Sequence, residues 1–375
     1  MPSYNRAGGG LKAMNVGQAI QFATEWVEDY AAHHPEFRGA HLMGGIVALP
    51  KDAPFPTTTD LDLSILVEVA PSQDQDGASD AYQGVPIDEF YKGVLIEAGV
   101  RRTDLYGSPE VVLASPDLAS SLAVNSILLD PNGLLARIQP IVAAQYRRRR
   151  WVATRCEWEK QQALAALERV ANATTPAEFL TDMVFVLLYL SGLITVASVR
   201  PPTHRKCLVL LRELLEAEGK NDLYDEMLAI AGCARLNAAQ VMAYQELCAR
   251  AFDRAVEVRR TPVPLDFKLR PHVRPYIVDA GRLAIEQGDH RELMPWLCLG
   301  LGLFTQVIRN DAPAAESARY NQVWADLYQL LGIDTPASRA EKLRTAIELK
   351  DSLFALADEI VGRLPDDMRM TAATA

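Results

Sequence analysis

GGIVALP, residues 44–50, and TTDLDLSILV, residues 58–67, are the two segments that decide the fold of this chain. The first places a glycine pair at the end of an apolar run, and the second carries Asp60 and Asp62 at the head of a β-type segment. In a strand, residues two apart point to the same face, so both carboxylates converge on one point. Two negative charges held that close repel each other unless a cation lies between them. The spacing therefore predicts a divalent metal site.

Size and composition indicate an ordinary globular protein. The chain has 375 residues, of which 49% are hydrophobic and 23% charged, and this length is enough for two domains with full cores. The formal net charge of −10 opposes general attraction to DNA or RNA. The same charge favours a cationic small substrate, and no nucleic-acid partner is expected.

Cysteine usage and hydropathy predict a cytoplasmic protein. The five cysteines are scattered without a CxxC pair, which is typical of reduced thiols. The start at residues 1–10 is polar and glycine-rich, without the apolar core of a signal peptide. The apolar run from Met183 to Val199 is slightly shorter than a bilayer requires, and four polar or small residues dilute it. We expect a buried core helix there and no membrane partner.

Residues 1–150 read as a mixed α/β region. The spacing of apolar residues predicts a helix from Val16 to Ala32. The other predicted elements are strands at 40–43, 61–69, 93–100 and 125–129, a hydrophilic loop at 70–84, a short helix at 87–90 and a helix start at Ser108. Glu97 lies inside the apolar strand at 93–100, where a buried strand would not place a carboxylate without a use for it.

From Leu134 onward the apolar pattern is helical almost without interruption. Helices are predicted at 134–149, 153–171, 176–199, 204–218, 221–232, 237–256, 274–287, 291–309, 314–332 and 337–363. No repeat period is evident, so a solenoid is not expected. The predicted fold class is mixed α+β, with a small mixed-sheet head at 1–150 and a large all-helical domain at 151–375.

Asp60, Asp62 and Glu97 suggest phosphoryl-type chemistry. They fall on neighbouring predicted strands beside a glycine turn whose backbone N–H groups can hold phosphate. Hard oxygen ligands favour Mg²⁺, with Mn²⁺ as an alternative. Two such ions about 3.5–4 Å apart can activate a hydroxyl on one side and neutralise a leaving pyrophosphate on the other.

At these residues the sequence resembles the nucleotidyltransferase superfamily with the polymerase-beta-type catalytic head, which includes the kanamycin and other aminoglycoside nucleotidyltransferases. Its pattern is an apolar residue, Gly-Gly or Gly-Ser, a spacer, acidic-apolar-acidic-apolar and a later third acid. This pattern falls on Met43, Gly44-Gly45, Asp60 to Leu63 and Glu97, over about sixty residues. The resemblance implies that the three acids hold the metals and that Gly44 and Gly45 pass close to the nucleotide phosphates.

Two features depart from that family pattern. The spacer between Gly45 and Asp60 is longer than usual and contains three prolines, and Gly45 stands where serine is commoner. The longer spacer changes the shape of the phosphate loop, whereas the glycine removes a hydroxyl and keeps the backbone donor. The helical part resembles, more loosely, helical domains that close the cleft and contact the acceptor.

Several further residues are candidates for substrate contacts. Thr59, next to Asp60, is predicted to bind the nucleotide. Arg205 and Lys206 follow Pro201-Pro202-Thr203 and either hold the triphosphate at a helix start or are solvated cations behind a Thr203 N-cap. A general base is also needed.

The candidates for that base are Glu178, Asp182 and Glu97. Glu178 and Asp182 lie four apart at the start of the most apolar predicted helix. Their alternative interpretation is a favourable acidic first turn of that helix. Glu97 would combine the role of base with that of metal ligand.

Taken together, the sequence predicts an enzyme that moves a nucleoside monophosphate from a nucleoside triphosphate, with ATP the expected donor, to a hydroxyl of a small and cationic acceptor such as an aminoglycoside-like antibiotic. Two alternatives stay open at this point. One is a nucleotidyltransferase that modifies a protein hydroxyl, and the other is a binding module that keeps the fold without turnover. The sequence also leaves a homodimer open.

Overall fold

The computed structural model describes residues 14–56, 58–68 and 87–365. The predicted polar start and the predicted loop at 70–84 lie outside the described residues. Within them, the chain forms a mixed five-stranded sheet near its N-terminus and a series of helices after it. The predicted α+β class is confirmed.

The sheet has the order β3-β4-β2-β1-β5. Its strands are β1 (Phe37–Leu42), β2 (Asp60–Val67), β3 (Ile87–Tyr91), β4 (Val94–Arg102) and β5 (Ile127–Leu129). β2 and β4 are parallel, and the other pairs are antiparallel. The central parallel pair is the one that carries the predicted acids.

The alternation along β2 sorts its side chains between two packed layers. Leu61, Leu63 and Ile65 pack against helix α1 (Val16–His33) in one buried cluster. Leu66 lies in a second cluster formed with α2 (Pro109–Ala114), α3 (Pro116–Leu122) and α4 (Leu134–Gln145). Asp60, Asp62 and Leu66 are separated by even numbers of residues, so their side chains lie on the same face of β2, away from α1.

The predicted short helix at 87–90 is wrong, because these residues form strand β3. β3 pairs with β4 along its whole length, from Ile87 opposite Ala98 to Tyr91 opposite Val94. The two strands are joined at Lys92 and Gly93, which have φ angles of 48° and 89°. Two consecutive residues with positive φ are typical of a tight hairpin turn. Pairing with β4 therefore outweighs the weak local helix signal.

The rest of the described chain is helical and follows the predicted pattern closely. The helices are α5 (Arg149–Asn172), α6 (Pro176–Ala197), α7 (Cys207–Ala217), α8 (Asn221–Ile230), α9 (Ala238–Val258), α10 (Ala280–Glu286), α11 (His290–Asp311), α12 (Ala314–Leu330) and α13 (Pro336–Gly362). Two predicted helices differ from this arrangement. The one at 134–149 ends at Gln145, and the one at 274–287 opens with a π-helical turn, Pro275–Asp279.

Helix α6 lies at the centre of the largest buried cluster, which draws on helices α5 to α13. It is long and apolar enough to cross a membrane by length and composition, yet 61% of its most apolar window is buried inside the protein. The structure therefore gives this helix the core position that its sequence predicts.

Candidate metal centre

Three carboxylates meet on the parallel strand pair. Asp62 on β2 is the register partner of Glu97 on β4, and Asp60 lies two residues before Asp62 on the same face. One oxygen of each of the three side chains lies within 4.8 Å of the others. Asp60 is buried, and the other two are half-buried. The structure thus brings together the three acids that the sequence predicts as ligands.

Gly44 packs directly against this cluster. Strand β1 ends at Leu42, the Met43 N–H donates to the carbonyl oxygen of Asp62 at 2.8 Å, and a 3-10 helix begins at Gly44. Gly44 has a φ of 65°, and a Cβ atom there would collide with the Asp62 carboxylate. Glycine is therefore required at 44 for both its backbone angle and its lack of a side chain.

Gly45 has no such constraint. It is exposed, and a Cβ atom there would meet nothing within 4 Å. Its predicted contact with nucleotide phosphates stays a prediction, as does that of Gly44. Thr59 is half-buried directly before Asp60, and its N–H donates to the Pro56 carbonyl at 3.2 Å. Its nucleotide contact is likewise a prediction.

Burial and mutual repulsion make the negative charge of the cluster costly. Burial raises the pKa of Asp62 to about 7, Glu97 adds to the rise, and Lys268 and Arg205 oppose it. Burial, Asp62 and Glu97 also hold the pKa of Asp60 well above its ordinary value. A divalent cation would relieve this repulsion, and carboxylate oxygens are the donors that Mg²⁺ and Mn²⁺ prefer. The residues present therefore fit such an ion.

Lys268 is the cation closest to the cluster, and sequence reasoning missed it. It ends a short 3-10 turn between α9 and α10, and its ammonium group donates a hydrogen bond to Glu97. Burial lowers the pKa of Lys268, but the nearby carboxylates of Glu97 and Asp88 raise it above its ordinary value. A sequence signal did exist, since the segment at 259–274 combines five cations: Arg259, Arg260, Lys268, Arg270 and Arg274.

Arg205 lies beside the cluster, where backbone carbonyl oxygens and an aromatic ring hold its guanidinium group. Its guanidinium donates to the carbonyl oxygens of Thr58 at 3.2 Å and Tyr276 at 2.9 Å, and stacks on the Tyr276 ring at 4.4 Å. Lys206 is exposed. The expected N-cap at Thr203 is wrong, because helix α7 begins at Cys207 and Lys206 occupies its cap position. Triphosphate binding by Arg205 and Lys206 stays a prediction.

Two of the three candidates for the general base have structural partners instead. Glu178 accepts hydrogen bonds from the Thr174 hydroxyl and from the backbone N–H groups of Thr174 and Thr175, which lower its pKa. Asp182 forms an ion pair with Arg169 at 2.8 Å. The interpretation as an acidic first turn therefore describes Glu178 well, and Glu97 is the candidate that lies in the cluster.

Two further acids have electrostatic links to this region, and sequence reasoning missed both. Asp117, exposed at the start of α3, contributes to the raised pKa of Asp62 and also to that of Glu159. Glu159 on α5 is buried, and burial is the main reason that its pKa rises to about 8. Its carboxylate faces Gly192 on α6, where a Cβ atom would lie 2.7 Å from Oε2. These positions depend on helix packing, so sequence spacing could not connect them.

Comparisons with known proteins add little to this geometry. No family model matches the chain, and no curated protein matches it. A solved structure described as a nucleotidyltransferase-like protein from Exiguobacterium sibiricum 255-15 aligns with 83% of this chain and 89% of its own, at 12% identity and a TM-score of 0.30. A score that low does not establish a common fold, and nothing in the comparisons concerns aminoglycosides.

Proposed function

We propose that this protein is a metal-dependent nucleotidyltransferase that moves a nucleoside monophosphate from a nucleoside triphosphate, with ATP the expected donor, to a hydroxyl group. The observation that carries the proposal is the convergence of Asp60, Asp62 and Glu97 within 4.8 Å on adjacent parallel strands. Gly44, packed against the Asp62 carboxylate, adds a backbone turn at the place where the phosphates would pass.

The three acids would hold two Mg²⁺ ions, or Mn²⁺, and the bound ions would supply charge neutralisation for the phosphates and the leaving pyrophosphate. Asp60 and Asp62 point to one face of β2, and Glu97 closes the site from β4. Their raised pKa values and mutual repulsion favour binding of a cation over the empty state. Arg205 and Lys268 are close enough to lower the pKa of Asp60, so two positive charges lie near the acids and could contact a triphosphate.

The reaction would be an in-line displacement at the α-phosphorus. A new bond forms between the acceptor oxygen and that phosphorus, and the bond from phosphorus to the bridging oxygen of the β-phosphate breaks. Pyrophosphate leaves with the electron pair of the broken bond. The hydroxyl proton passes to a carboxylate, and Glu97 is the predicted base that lies at the centre.

We propose a small, hydroxylated and cationic acceptor, of which an aminoglycoside-like antibiotic is one example. The support is electrostatic, since the net charge is −10 and the exposed acid Asp117 adds negative charge near Asp62. A positively charged acceptor would be attracted to this face and held with its hydroxyl near the metal centre.

The decisive experiment incubates the protein with each labelled triphosphate and a panel of hydroxylated acceptors, and records pyrophosphate release. The wild type should bind a triphosphate only with Mg²⁺ or Mn²⁺ present. Asp62→Asn should lose at least about a thousandfold in turnover, because it removes a ligand of the charge-stabilising site. Asp225→Asn, the same change at an exposed aspartate on α8, serves as the matched control.

A wild type that binds no triphosphate in a metal-dependent way would refute the proposal. If a protein is labelled and no small molecule in the panel is, the acceptor is a protein hydroxyl and the protein is a protein-modifying nucleotidyltransferase. Metal-dependent binding without turnover on any acceptor would favour the non-catalytic module.

A further inference from the structure

Asp88 is a buried carboxylate that lacks a hydrogen-bond partner. It lies on β3 opposite Glu97 on β4, and its side chain is 0% exposed. Neither of its carboxylate oxygens finds a hydrogen-bond donor among the residues that the structure describes. A buried carboxylate without a hydrogen-bond donor is unfavourable, and the Lys268 ammonium group lies 3.8 Å from it, beyond hydrogen-bond distance, so this position needs an explanation.

Lys268 lies between this carboxylate and the metal centre. Its ammonium group donates a hydrogen bond to Glu97, while its Nζ atom is 3.8 Å from Oδ1 of Asp88. The Lys268 side chain is 16% exposed and lies over the rings of Phe267 and Tyr276. One ammonium group therefore faces two carboxylates on adjacent strands, bonded to one and just out of reach of the other.

The segment that carries Lys268 is fixed to the same strand as Asp88. Arg270, two residues further on, donates to the carbonyl oxygen of Asp88 at 2.9 Å. This contact holds the backbone near the edge of the sheet, so a small rotation of the Lys268 side chain suffices to change its partner. Closing the present 3.8 Å gap to a charge-assisted hydrogen bond of about 2.8 Å needs a shift of roughly 1 Å.

We propose that Lys268 is the built-in counter-cation of the metal-free centre, and that it moves from Glu97 to Asp88 when a divalent cation binds. The inference rests on the proposed metal site. A metal ion at Glu97 competes with the ammonium group for this carboxylate, and the two cations repel each other at contact distance. Asp88 receives the displaced ammonium group and thereby gains the partner that it lacks.

This arrangement couples lysine position to metal binding. Before metal binds, Lys268 offsets part of the repulsion among the acids, so the metal-free protein tolerates their burial. A metal ion must compete with that internal cation, which lowers its affinity. Because the coupling is reciprocal, removing the ammonium group should tighten metal binding, and removing its alternative partner should weaken it.

The test is calorimetric titration of the full-length protein with Mn²⁺ and no nucleotide. Lys268→Met should bind Mn²⁺ roughly five- to 100-fold more tightly than the wild type. Asp88→Asn should bind it at least about threefold more weakly, since Lys268 then has no second carboxylate to move to. In the Lys268→Met background, Asp88→Asn should have no effect. Lys220→Met removes an exposed lysine as the matched control and should match the wild type.

The double variant, Lys268→Met with Asp88→Asn, distinguishes the proposed movement of Lys268 from a general electrostatic effect of Asp88 on Mn²⁺ binding. If Asp88 acts only through its negative charge, Asp88→Asn weakens Mn²⁺ binding equally with and without Lys268, and the proposal is wrong. If Lys268 only anchors its segment, Lys268→Met lowers thermal stability without tightening Mn²⁺ binding, which also overturns it. If the proposed metal site does not exist, neither the wild type nor Asp60→Asn binds Mn²⁺. This outcome can be distinguished from failure of the Lys268 proposal, in which the wild type binds Mn²⁺.

A crystal structure of the wild type with Mn²⁺ gives a second test that needs no variant. The Lys268 Nζ atom should lie about 3 Å from an Asp88 carboxylate oxygen and should have left Glu97. An ammonium group still bonded to Glu97 beside a bound Mn²⁺ would refute the proposed movement, even if the titrations agreed with it.

Discussion

Gly44 shows how closely single residues are constrained at this site. Its positive φ suits glycine, and the space that a Cβ atom would fill is taken by the Asp62 carboxylate. Gly45, its neighbour, has open space in the same direction. Only Gly44 is therefore constrained by its backbone angle and by the Asp62 side chain. Alanine substitutions at positions 44 and 45 can show this difference.

Gly44→Ala should lower the free energy of unfolding by about 1–3 kcal/mol, because alanine is strained at that φ and must displace Asp62. Mn²⁺ binding should weaken in the same variant, since the displaced carboxylate is a predicted ligand. Gly45→Ala should change the free energy of unfolding by less than about 0.5 kcal/mol. Denaturant unfolding and Mn²⁺ titration measure both effects, and equal behaviour of the two variants would contradict this account.

The raised pKa of Asp62 predicts an unusual pH dependence of stability. Its pKa is raised from 3.8 to about 7 in the folded protein. Between these two pH values the folded state holds a proton that the unfolded state has lost, so stability falls as pH rises through the window. The metal-free wild type should therefore be less stable at pH 7 than at pH 5.

Asp62→Asn is the control that assigns this slope to Asp62. Unfolding in the presence of a chelator at both pH values should show a smaller loss of stability in Asp62→Asn than in the wild type. Asp88, whose pKa burial raises to about 6, titrates in the same range and should keep part of the slope. An identical slope in the two proteins would show that Asp62 ionises normally.

At the scale of single elements, the start of helix α6 accounts for Glu178, which the sequence suggested as a catalytic base. Helix α6 begins with a capping box in which the Thr175 side chain accepts from the Glu178 N–H and the Glu178 side chain accepts from the Thr175 N–H. Such a pair satisfies two donors that a helix start leaves free. Strand β3 shows the effect of pairing, because a five-residue segment that contains two acids becomes a strand through its hairpin with β4.

Thr175→Ala should lower the free energy of unfolding by about 1 kcal/mol through loss of the cap. Glu178→Ala should have a similar effect, and the double variant less than the sum, because both residues belong to one box. Turnover per folded molecule should stay unchanged in all three. Glu216→Ala, at an exposed position on α7, is the control. A tenfold loss of turnover in folded Glu178→Ala would restore that residue as a base.

At the scale of the whole molecule, polar contacts join the helical part to the sheet around the candidate centre. Arg205 binds the carbonyl oxygen of Thr58 beside β2, Lys268 binds Glu97 on β4, and Arg270 binds the carbonyl oxygen of Asp88 on β3. Further away, the buried Arg155 of α5 donates to the carbonyl oxygens of Leu113 at 2.8 Å and Tyr146 at 2.7 Å. Three cations from the connections between the α-helices thus contact the sheet and the residue before it, close to Asp60, Glu97 and Asp88.

The division into domains at residue 150 stays a prediction, although the buried clusters are arranged on either side of that position. Two clusters draw on residues 16–142, and the largest draws on residues 152–361. The cytoplasmic location, the acceptor and a homodimer also stay predictions.

The sequence by itself determined the strand with Asp60 and Asp62, the strand with Glu97 and nearly all the helices, because these depend on the period of apolar residues and on local caps. Only the tertiary structure decided that residues 87–91 form a strand, that Lys268 rather than Lys206 reaches the acids and that Asp88 lies beside them without a hydrogen-bond donor. Residues 87–91 become a strand through the adjacent hairpin with β4, whereas for Lys268 the physical reason is separation along the chain. Lys268 meets Glu97 across 171 positions, and no local pattern encodes a contact that depends on how helices pack over a sheet.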